Sequence, residues 1–343
     1  MINFCTLFNS TYLTRGLAMY HSLEEHCADF HLYILAFDRH CYDTLVFLRL
    51  SHATIISLHE FEDEQLISVK STRTATEYCW TCTPASIQYC IQKFQLDSCT
   101  YIDADLLFFS DPKILIEEMG DDSVLITEHR YTPQYDQTQV SGKYCVQFVC
   151  IKNDERGGKV LQWWKDACLE WCYNRVEDNK FGDQKYLDDW CERFEGVHEL
   201  QHLGGGLAPW NMQQYYFALQ KNRLTGTETS TGRKFNAVFF HFHCFRYFKT
   251  SVFAPAGNYQ LNENALSLIY DPYIKSLQRA ENLLTKSMQF HGGKAHESLP
   301  LKKVFHSPLR IYLLYMRGNF KHYYHESYFQ KRRQKQPDNR IGV

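Results

Sequence analysis

Hydrophobic and polar residues follow two alternating patterns along the first half of the chain. Short, largely apolar runs bounded by turn residues predict four strands, at 2–9, 30–37, 53–58 and 99–109. Apolar residues at helical spacing predict three helices between them, at 13–26, 43–50 and 76–94, with Pro84 near the start of the third. Strands that alternate with helices indicate βαβ units, so we expect an α/β fold whose mostly parallel sheet is covered by helices on both faces.

The second half of the chain mixes strands and helices less regularly. Strands are predicted at 123–127, 144–151 and 236–243, and helices at 155–174 and 265–284. We expect a catalytic domain at 1–258 and a helical C-terminal extension at 259–343, with 292–294 as the linker to a basic tail. Ligands of open parallel sheets bind beyond the carboxyl ends of the strands, which selects the loops after Phe8, Phe37 and Asp103.

The amino-acid composition limits the classes of protein to which the chain can belong. The 37 Lys and Arg nearly balance the 39 Asp and Glu, so the whole chain lacks the electrostatic signature of a nucleic-acid-binding protein. The 13 scattered cysteines indicate reduced, buried thiols rather than a disulfide framework, and the one CxxC, Cys79 to Cys82, lacks the second pair of a zinc site. We see no secretory leader and no membrane-spanning apolar stretch, and therefore expect a cytoplasmic protein.

The C-terminal tail differs in charge from the rest of the chain. From Pro300 onward ten Lys and Arg accompany two acids, and apolar residues between 309 and 316 are interleaved with the cations. Such a tail can rest on anionic lipids at the inner face of a membrane. Equally, it can be a solvated helix that packs its apolar face on the body of the protein.

Two carboxylates at the end of an apolar strand are the main chemical signal. Asp103 and Asp105 follow Tyr101-Ile102 and precede an apolar run, and in a strand they would point to the same face. Acids embedded in apolar sequence are costly unless a partner compensates their charge, and a hard divalent cation does so well. The alternative for either residue is a strand-end Asp that caps a neighbouring helix.

With the segment Tyr101-Ile102-Asp103-Ala104-Asp105, followed by Ser-Asp-Pro, the chain resembles the family 8 glycosyltransferases and their relatives of the GT-A fold over about residues 2–250. The resemblance implies a Rossmann-like, mostly parallel sheet. It also implies transfer of a hexose from a nucleotide-sugar, most often a UDP-sugar, with Mn²⁺ or Mg²⁺ stabilising the leaving diphosphate. Retention of the anomeric configuration and a glycan or lipid-linked acceptor are further expectations, and the leaving phosphate can take the acceptor proton.

The first strand and its loop resemble the nucleotide-binding segment of those enzymes. The resemblance places Phe8, Asn9 and Tyr12 near the base and ribose. Arg73 lies in the region whose basic side chain bridges the diphosphate and the nucleoside. A surface arginine engaged in a salt bridge is the alternative for Arg73.

Three further segments resemble parts of the donor-sugar site. The Asp183-Gln184 pair resembles the Asp-Gln segment that contacts the donor sugar, although Asp183 also suits a helix N-cap. Gln147 is the polar residue available on the strand that passes near the transferred sugar. The three glycines at 204–206 let a backbone approach a ligand or form a hinge, and they precede Trp210 and Asn211, which we expect to contact a sugar.

The third metal ligand is expected from a late aromatic strand. His241 is the first candidate and His243 the second, since both would share one face of that strand. The family continues from its histidine with Gly and Lys-Pro-Trp, whereas this chain continues with Cys244-Phe245-Arg246. Arg246 can replace the family's lysine as a diphosphate contact.

These observations predict a metal-dependent glycosyltransferase with Asp103, Asp105 and a histidine as metal ligands. Two other classes of protein remain open. A nucleotidyltransferase also uses paired carboxylates, but it normally carries a glycine-rich basic loop that is not evident after Phe8. A non-catalytic nucleotide-sugar-binding protein of the same fold is the second alternative.

Overall fold

The computed structural model describes residues 1–248, 252–261, 263–286 and 323–335. The predicted linker at 292–294 and most of the basic tail lie outside these residues. Within the described part of the chain, no helix combines the length and the apolar character needed to cross a membrane.

A seven-stranded sheet forms the centre of the protein. Its strands are β1 (Ile2–Phe8), β2 (Phe30–Ala36), β3 (Ala53–Ser57), β4 (Ser98–Ile102), β6 (Val124–Glu128), β7 (Tyr144–Lys152) and β8 (Val197–Glu199), in the order β3-β2-β1-β4-β7-β6-β8. Only β7 runs antiparallel to its neighbours in this sheet. The expected mostly parallel α/β sheet is therefore confirmed.

Alternating side chains of the sheet enter two separate cores. In β1, Cys5 and Leu7 face one core, and Phe4 and Phe8 face the other, as the two-residue period of a strand requires. The first core is closed by α3 (Leu58–Phe61), α4 (Glu64–Lys70), α5 (Ala75–Phe94) and α8 (Glu155–Glu170). The second is closed by α1 (Leu13–His26), α2 (Arg39–Leu48) and α6 (Lys113–Glu118). Helices on both faces were expected and are present.

Smaller sheets and helices complete the molecule around this body. The strands are β5 (Leu106–Phe108), which pairs with β12 (Phe239–His241); β9 (Tyr215–Gln220), β10 (Arg223–Glu228) and β11 (Lys234–Asn236); and β13 (Arg246–Phe248), β14 (Val252–Ala254) and β15 (Tyr324–His325). The short helices are α7 (Thr138–Ser141) and α9 (Trp190–Arg193). The C-terminal helices are α10 (Glu263–Ala265), a π-helical turn (Leu266–Tyr270), α11 (Asp271–Lys286) and α12 (Glu326–Lys335).

The C-terminal helices share the core of the body. Ala280 and Leu284 of α11 belong to the same buried cluster as Leu13 and Leu17 of α1. Through these contacts, α11 packs against one side of α1.

Several predicted elements were wrong in their bounds. The predicted strand at 99–109 is two strands, because the chain turns at Asp103-Ala104-Asp105, and the strand at 236–243 is likewise broken between β11 and β12. Pro84 lies in the middle of α5 rather than near its start, since Thr74 and Glu77 form a capping box ten residues earlier. Asp38 caps α2, so that helix begins at Arg39.

Candidate functional site

A cleft of about 590 Å³ opens at the carboxyl edge of the central sheet. Its floor is formed where β1 ends at Phe8 and where β4 gives way to the turn at Asp103. Parallel strands end at one edge of a sheet, so polar residues far apart in sequence meet there. Most of the residues predicted to bind a ligand line this cleft: Phe8, Asn9, Tyr12, Asp103, Asp105, Asp183, Gln184, Trp210, His241 and His243.

Asp103, Asp105 and His241 form a compact group at the floor of the cleft. Nε2 of His241 lies 3.2 Å from a carboxylate oxygen of Asp105 and 3.7 Å from one of Asp103. One ligand atom from each residue lies within 4.8 Å of the others. Two carboxylates and one imidazole are a suitable donor set for Mn²⁺ or Mg²⁺.

Backbone hydrogen bonds hold the two carboxylates against the histidine. The Asp103 N–H donates to the carbonyl oxygen of Gln147 at 3.1 Å, and the Phe242 N–H donates to that of Asp105 at 3.0 Å. The break between β4 and β5 therefore presents the acids from a turn, and β12 brings His241 to them by pairing with β5. The sequence suggested one continuous strand with both acids on one face, which was wrong.

The charges in this group are strongly coupled. Burial raises the pKa of Asp103 to about 6, with the negative charge of Asp105 adding to that effect. Burial also opposes ionisation of Asp105, but attraction to His241 outweighs it and lowers the pKa to about 2. Burial disfavours the His241 cation, yet the two carboxylates raise the pKa of that imidazole well above its usual range. In the metal-free group the two carboxylates thus favour the protonated imidazole, and metal binding requires that imidazole to be neutral.

Gln147 lies directly behind His241. Its Oε1 is 2.7 Å from Nδ1 of the imidazole, and the side chain is fully buried. An amide oxygen can only accept, so Nδ1 carries a proton and Nε2 is directed to the acids. Gln147 does not line the cleft; it orients the histidine that does.

The loop after β1 is held by short polar contacts. Oδ1 of Asn9 accepts from the backbone N–H of Thr11 at 3.1 Å and from its hydroxyl at 2.6 Å. The backbone N–H of Ser10 donates to Asp38 at 2.7 Å, which joins this loop to the start of α2. Tyr12 follows, and this residue is 40% exposed and lines the cleft.

Asp183 is a buried acid on the cleft wall. It is only 2% exposed, and its Oδ2 has no hydrogen-bond partner among the described residues. Burial raises its pKa to about 7, and the charge of Asp103 contributes in the same direction. The alternative of an N-cap is wrong, because the following 3₁₀ turn (Lys185–Asp189) begins after Gln184 and has no side-chain cap. Gln184 donates from Nε2 to the carbonyl oxygen of Ser141 at 2.8 Å.

The segment from Gly204 to Asn211 is a packed element of the structure. A Cβ on Gly204 would lie 1.9 Å from the carbonyl oxygen of Asn236, and Gly206 has a φ of +85°. Nδ2 of Asn211 donates to the carbonyl oxygens of His129 and Gly206, both at 2.8 Å. Asn211 therefore holds backbone in place and does not line the cleft, whereas its neighbour Trp210 does.

The two arginines proposed as diphosphate contacts lie outside the cleft wall. Arg73 donates to the carbonyl oxygen of Leu169 at 3.2 Å and stacks over the ring of Tyr173 at 4.0 Å. Arg246 begins β13 and is exposed. Among the described residues that line the cleft there is no Lys and no Arg.

Sequence reasoning missed much of the aromatic lining. Trp80 and Phe181 lie 6.1 Å apart on one wall, and Tyr131 and Tyr259 lie on another. Phe181 lies two residues before Asp183 and Trp80 lies within the CxxC, but no motif assigned a role to the aromatic rings themselves, so only the high aromatic content pointed to them. Their positions depend on loops that the pattern of strands does not define.

No model of a known protein family matches the sequence. Two proteins of Bacillus subtilis (strain 168), both named as uncharacterized, are similar along most of the chain. YfnD is 34% identical over 285 residues, covering 81% of this chain and 89% of YfnD. YfnF is 29% identical over 298 residues, covering 84% of this chain and 96% of YfnF.

Solved structures show which fold this is. The galactosyltransferase LgtC, in complex with donor and acceptor sugar analogues, superposes with a TM-score of 0.50 at 12% identity, covering 81% of this chain and 96% of LgtC. The glycosyltransferase GlyE of Streptococcus pneumoniae TIGR4 superposes with a TM-score of 0.39 at 17% identity, covering 59% of this chain and 47% of GlyE. The likeness to LgtC confirms the predicted GT-A fold.

Proposed function

This chain belongs to the same family as YfnD of Bacillus subtilis, and on that premise we propose that it is a metal-dependent glycosyltransferase that transfers a hexose from a nucleotide-sugar, with a UDP-sugar as the first candidate. The observation that carries the proposal is the group of Asp103, Asp105 and His241 at the floor of the cleft, with ligand atoms within 4.8 Å of one another. Acids at this edge of a GT-A sheet are where a donor diphosphate and its cation would meet.

The residues present fit a divalent cation. Asp103, Asp105 and His241 would hold Mn²⁺ or Mg²⁺, with His241 oriented by Gln147. Bound there, the cation would neutralise the diphosphate and stabilise it as a leaving group. The described cleft wall offers no Lys or Arg for that purpose, so strict dependence on metal is expected.

The donor is expected to lie across the cleft. The loop of Phe8, Asn9 and Tyr12 would take the nucleoside, because its backbone is already held in place by Asn9 and Asp38. Asp183 and Gln184 would contact the transferred sugar from the adjoining wall. The buried Asp183 carboxyl, with an oxygen that lacks a partner among the described residues, suits a sugar hydroxyl.

We nominate no protein base for the acceptor. In a retaining transfer the leaving phosphate can accept that proton, and Asp183 is the first alternative because burial raises its pKa to about 7. A general base is most effective near its own pKa, so Asp183 could serve at neutral pH.

The decisive experiment is UDP release from a panel of UDP-sugars, with Mn²⁺, with Mg²⁺ and with EDTA. We expect release that needs metal and that falls at least a hundredfold in Asp105→Asn, a nearly isosteric change. A matched control is Asp43→Asn, which alters an exposed ion pair with Arg39 on α2. If the folded protein releases no UDP from any sugar of the panel and binds no UDP-sugar by calorimetry, a donor sugar with another nucleotide would be favoured. Binding of a UDP-sugar without turnover would favour the non-catalytic alternative.

A further inference from the structure

One wall of the cleft is built from aromatic rings and is separate from the nucleotide loop. We call Tyr131, Trp210, His243 and Tyr259 the aromatic wall. Trp210 lies 6.3 Å from Tyr131 and 5.4 Å from His243, and His243 lies 6.5 Å from Tyr259, measured between ring centroids. All four side chains line the cleft, where Trp210, which is 4% exposed, connects the rings of Tyr131 and His243.

Contacts behind the aromatic wall hold its rings in place. The Trp210 indole N–H donates to the carbonyl oxygen of His129 at 2.9 Å, and the ring of His129 stacks on Tyr131 at 4.6 Å with an interplanar angle of 12°. Tyr259 packs edge-on against Tyr135 at 4.9 Å. A surface arranged in advance loses little conformational entropy when a ligand binds.

Sheet order places the aromatic wall on the far side of the metal-ligand group from the nucleotide loop. The nucleotide loop follows β1, the acids follow β4, and the segment with Tyr131 follows β6, in the sheet order β1-β4-β7-β6. The acids therefore lie between the two. Trp210 packs edge-to-face against His241 with ring centroids 5.4 Å apart, so the aromatic wall adjoins that group.

The chemistry of the aromatic wall is uncharged. It contains no Lys, Arg, Asp or Glu, and its neighbours along the cleft among the described residues include the amide of Gln137 and the hydroxyl of Ser141. Aromatic faces match the C–H face of a pyranose ring, and a few amides and hydroxyls suffice to orient its hydroxyl groups. Among the described residues that line the cleft, there is no Lys or Arg to pair with a phosphate or carboxylate on this wall.

We propose that the aromatic wall is the acceptor site and that it takes an uncharged pyranoside. This inference rests on the proposed glycosyltransferase function. In the transfer, an acceptor hydroxyl forms a bond to the anomeric carbon, the bond from that carbon to the donor phosphate breaks, and the hydroxyl proton leaves with the nucleoside diphosphate. The donor itself supplies the leaving group, so no further reagent is needed.

Saturation-transfer NMR on the full chain with UDP and Mg²⁺, which is diamagnetic, tests the assignment directly. The probes are methyl β-glucoside, methyl β-galactoside and methyl N-acetyl-β-glucosaminide, with glucose 6-phosphate and galactose 6-phosphate as charged counterparts. We expect saturation of at least one neutral glycoside and none of the phosphates. Saturation of the phosphates alone, or of no sugar in a protein that binds UDP, would overturn the assignment.

Variants of Tyr259 give an independent measurement. Tyr259→Ala should raise the KM for the acceptor at least tenfold, while Tyr259→Phe keeps the ring and should stay within twofold of wild type. The affinity for UDP with Mn²⁺, measured by calorimetry, should be equal in both variants. An unchanged acceptor KM in Tyr259→Ala would refute the site. Failure of the wild-type chain to bind UDP would instead count against a UDP-sugar as the donor of the proposed function.

Discussion

Arg15 on α1 donates from Nη2 to the carbonyl oxygen of Phe245 at 3.0 Å, across 230 positions of sequence. The same guanidinium lies over the ring of Tyr12 at 4.6 Å, and its charge lowers the pKa of Asp105 in combination with His241. One buried cation thus joins the end of the nucleotide loop to the segment that carries the histidines.

Replacing Arg15 should loosen both segments at once. Arg15→Met keeps much of the volume but removes the hydrogen bond and the charge, and we expect a loss of about 1.5–3 kcal/mol of unfolding free energy. Affinity for Mn²⁺ should instead rise, because Asp105 is ionised at neutral pH and a neighbouring positive charge that repels the metal ion is removed. Thermal melts and a Mn²⁺ titration measure the two effects.

The matched control for this variant is Arg39→Met. The side chain of Arg39 is 86% exposed in its ion pair with Asp43, and its loss should leave the stability nearly unchanged. Equal stabilities for the two variants would mean that Arg15 is not a structural link.

Gln147 should determine how well His241 binds metal. Gln147→Leu removes the acceptor for Nδ1, so the imidazole loses the contact that directs Nε2 to the acids. We expect Mn²⁺ affinity to fall about 10–100-fold by calorimetry. Gln147→Glu retains an acceptor and should bind metal more tightly than the leucine variant. The same affinity in wild type and Gln147→Leu would contradict this role.

The stability of the metal-free protein should depend on the ionisation of Asp183. Its pKa is raised to about 7 by burial, whereas an unfolded Asp titrates near about 4. Between these values the folded state holds the proton more tightly than the unfolded state, so stability falls as pH rises, by up to about 1.4 kcal/mol for each pH unit.

Asp183→Asn cannot ionise and should escape this loss. The melting temperature of Asp183→Asn relative to wild type is therefore expected to increase from pH 5 to pH 8, with metal and donor absent. If the difference in melting temperature between the variant and wild type stays constant, or shrinks with rising pH, the pKa of Asp183 is not raised in the folded protein.

Gly204 and Gly158 should respond in opposite ways to the same change. A Cβ on Gly204 would lie 1.9 Å from the Asn236 carbonyl oxygen, so Gly204→Ala should unfold or strongly destabilise the protein. Gly158 lies in α8 with no described heavy atom within 4 Å of its added Cβ, and Gly158→Ala should add about 0.5–1 kcal/mol. Chemical denaturation compares the two. Tolerance of Gly204→Ala would favour the hinge over the packing explanation.

The grouping of Asp103, Asp105 and His241 was better predicted than the roles of the residues around them. The motif at Asp103 and Asp105 and the late histidines pointed to one cleft, and the structure brings Asp103, Asp105 and His241 together. Asn211 and Arg73 were also proposed as contacts, but in the structure their side chains bind backbone carbonyl groups. A hydrogen bond to a distant backbone atom leaves no local pattern in sequence, so these uses could not be anticipated.

Local periodicity and the order of strands and helices were determined by the sequence alone, because the alternation of apolar side chains reflects which faces of each element are buried. The acidic motif could likewise be recognised from a few adjacent residues. Only the tertiary structure decided that β4 and β5 are separated by a turn, that Gln147 backs His241, and that Tyr131 and Tyr259 share a wall. Each of these depends on contacts between residues far apart in the chain, which form only when the whole core is packed.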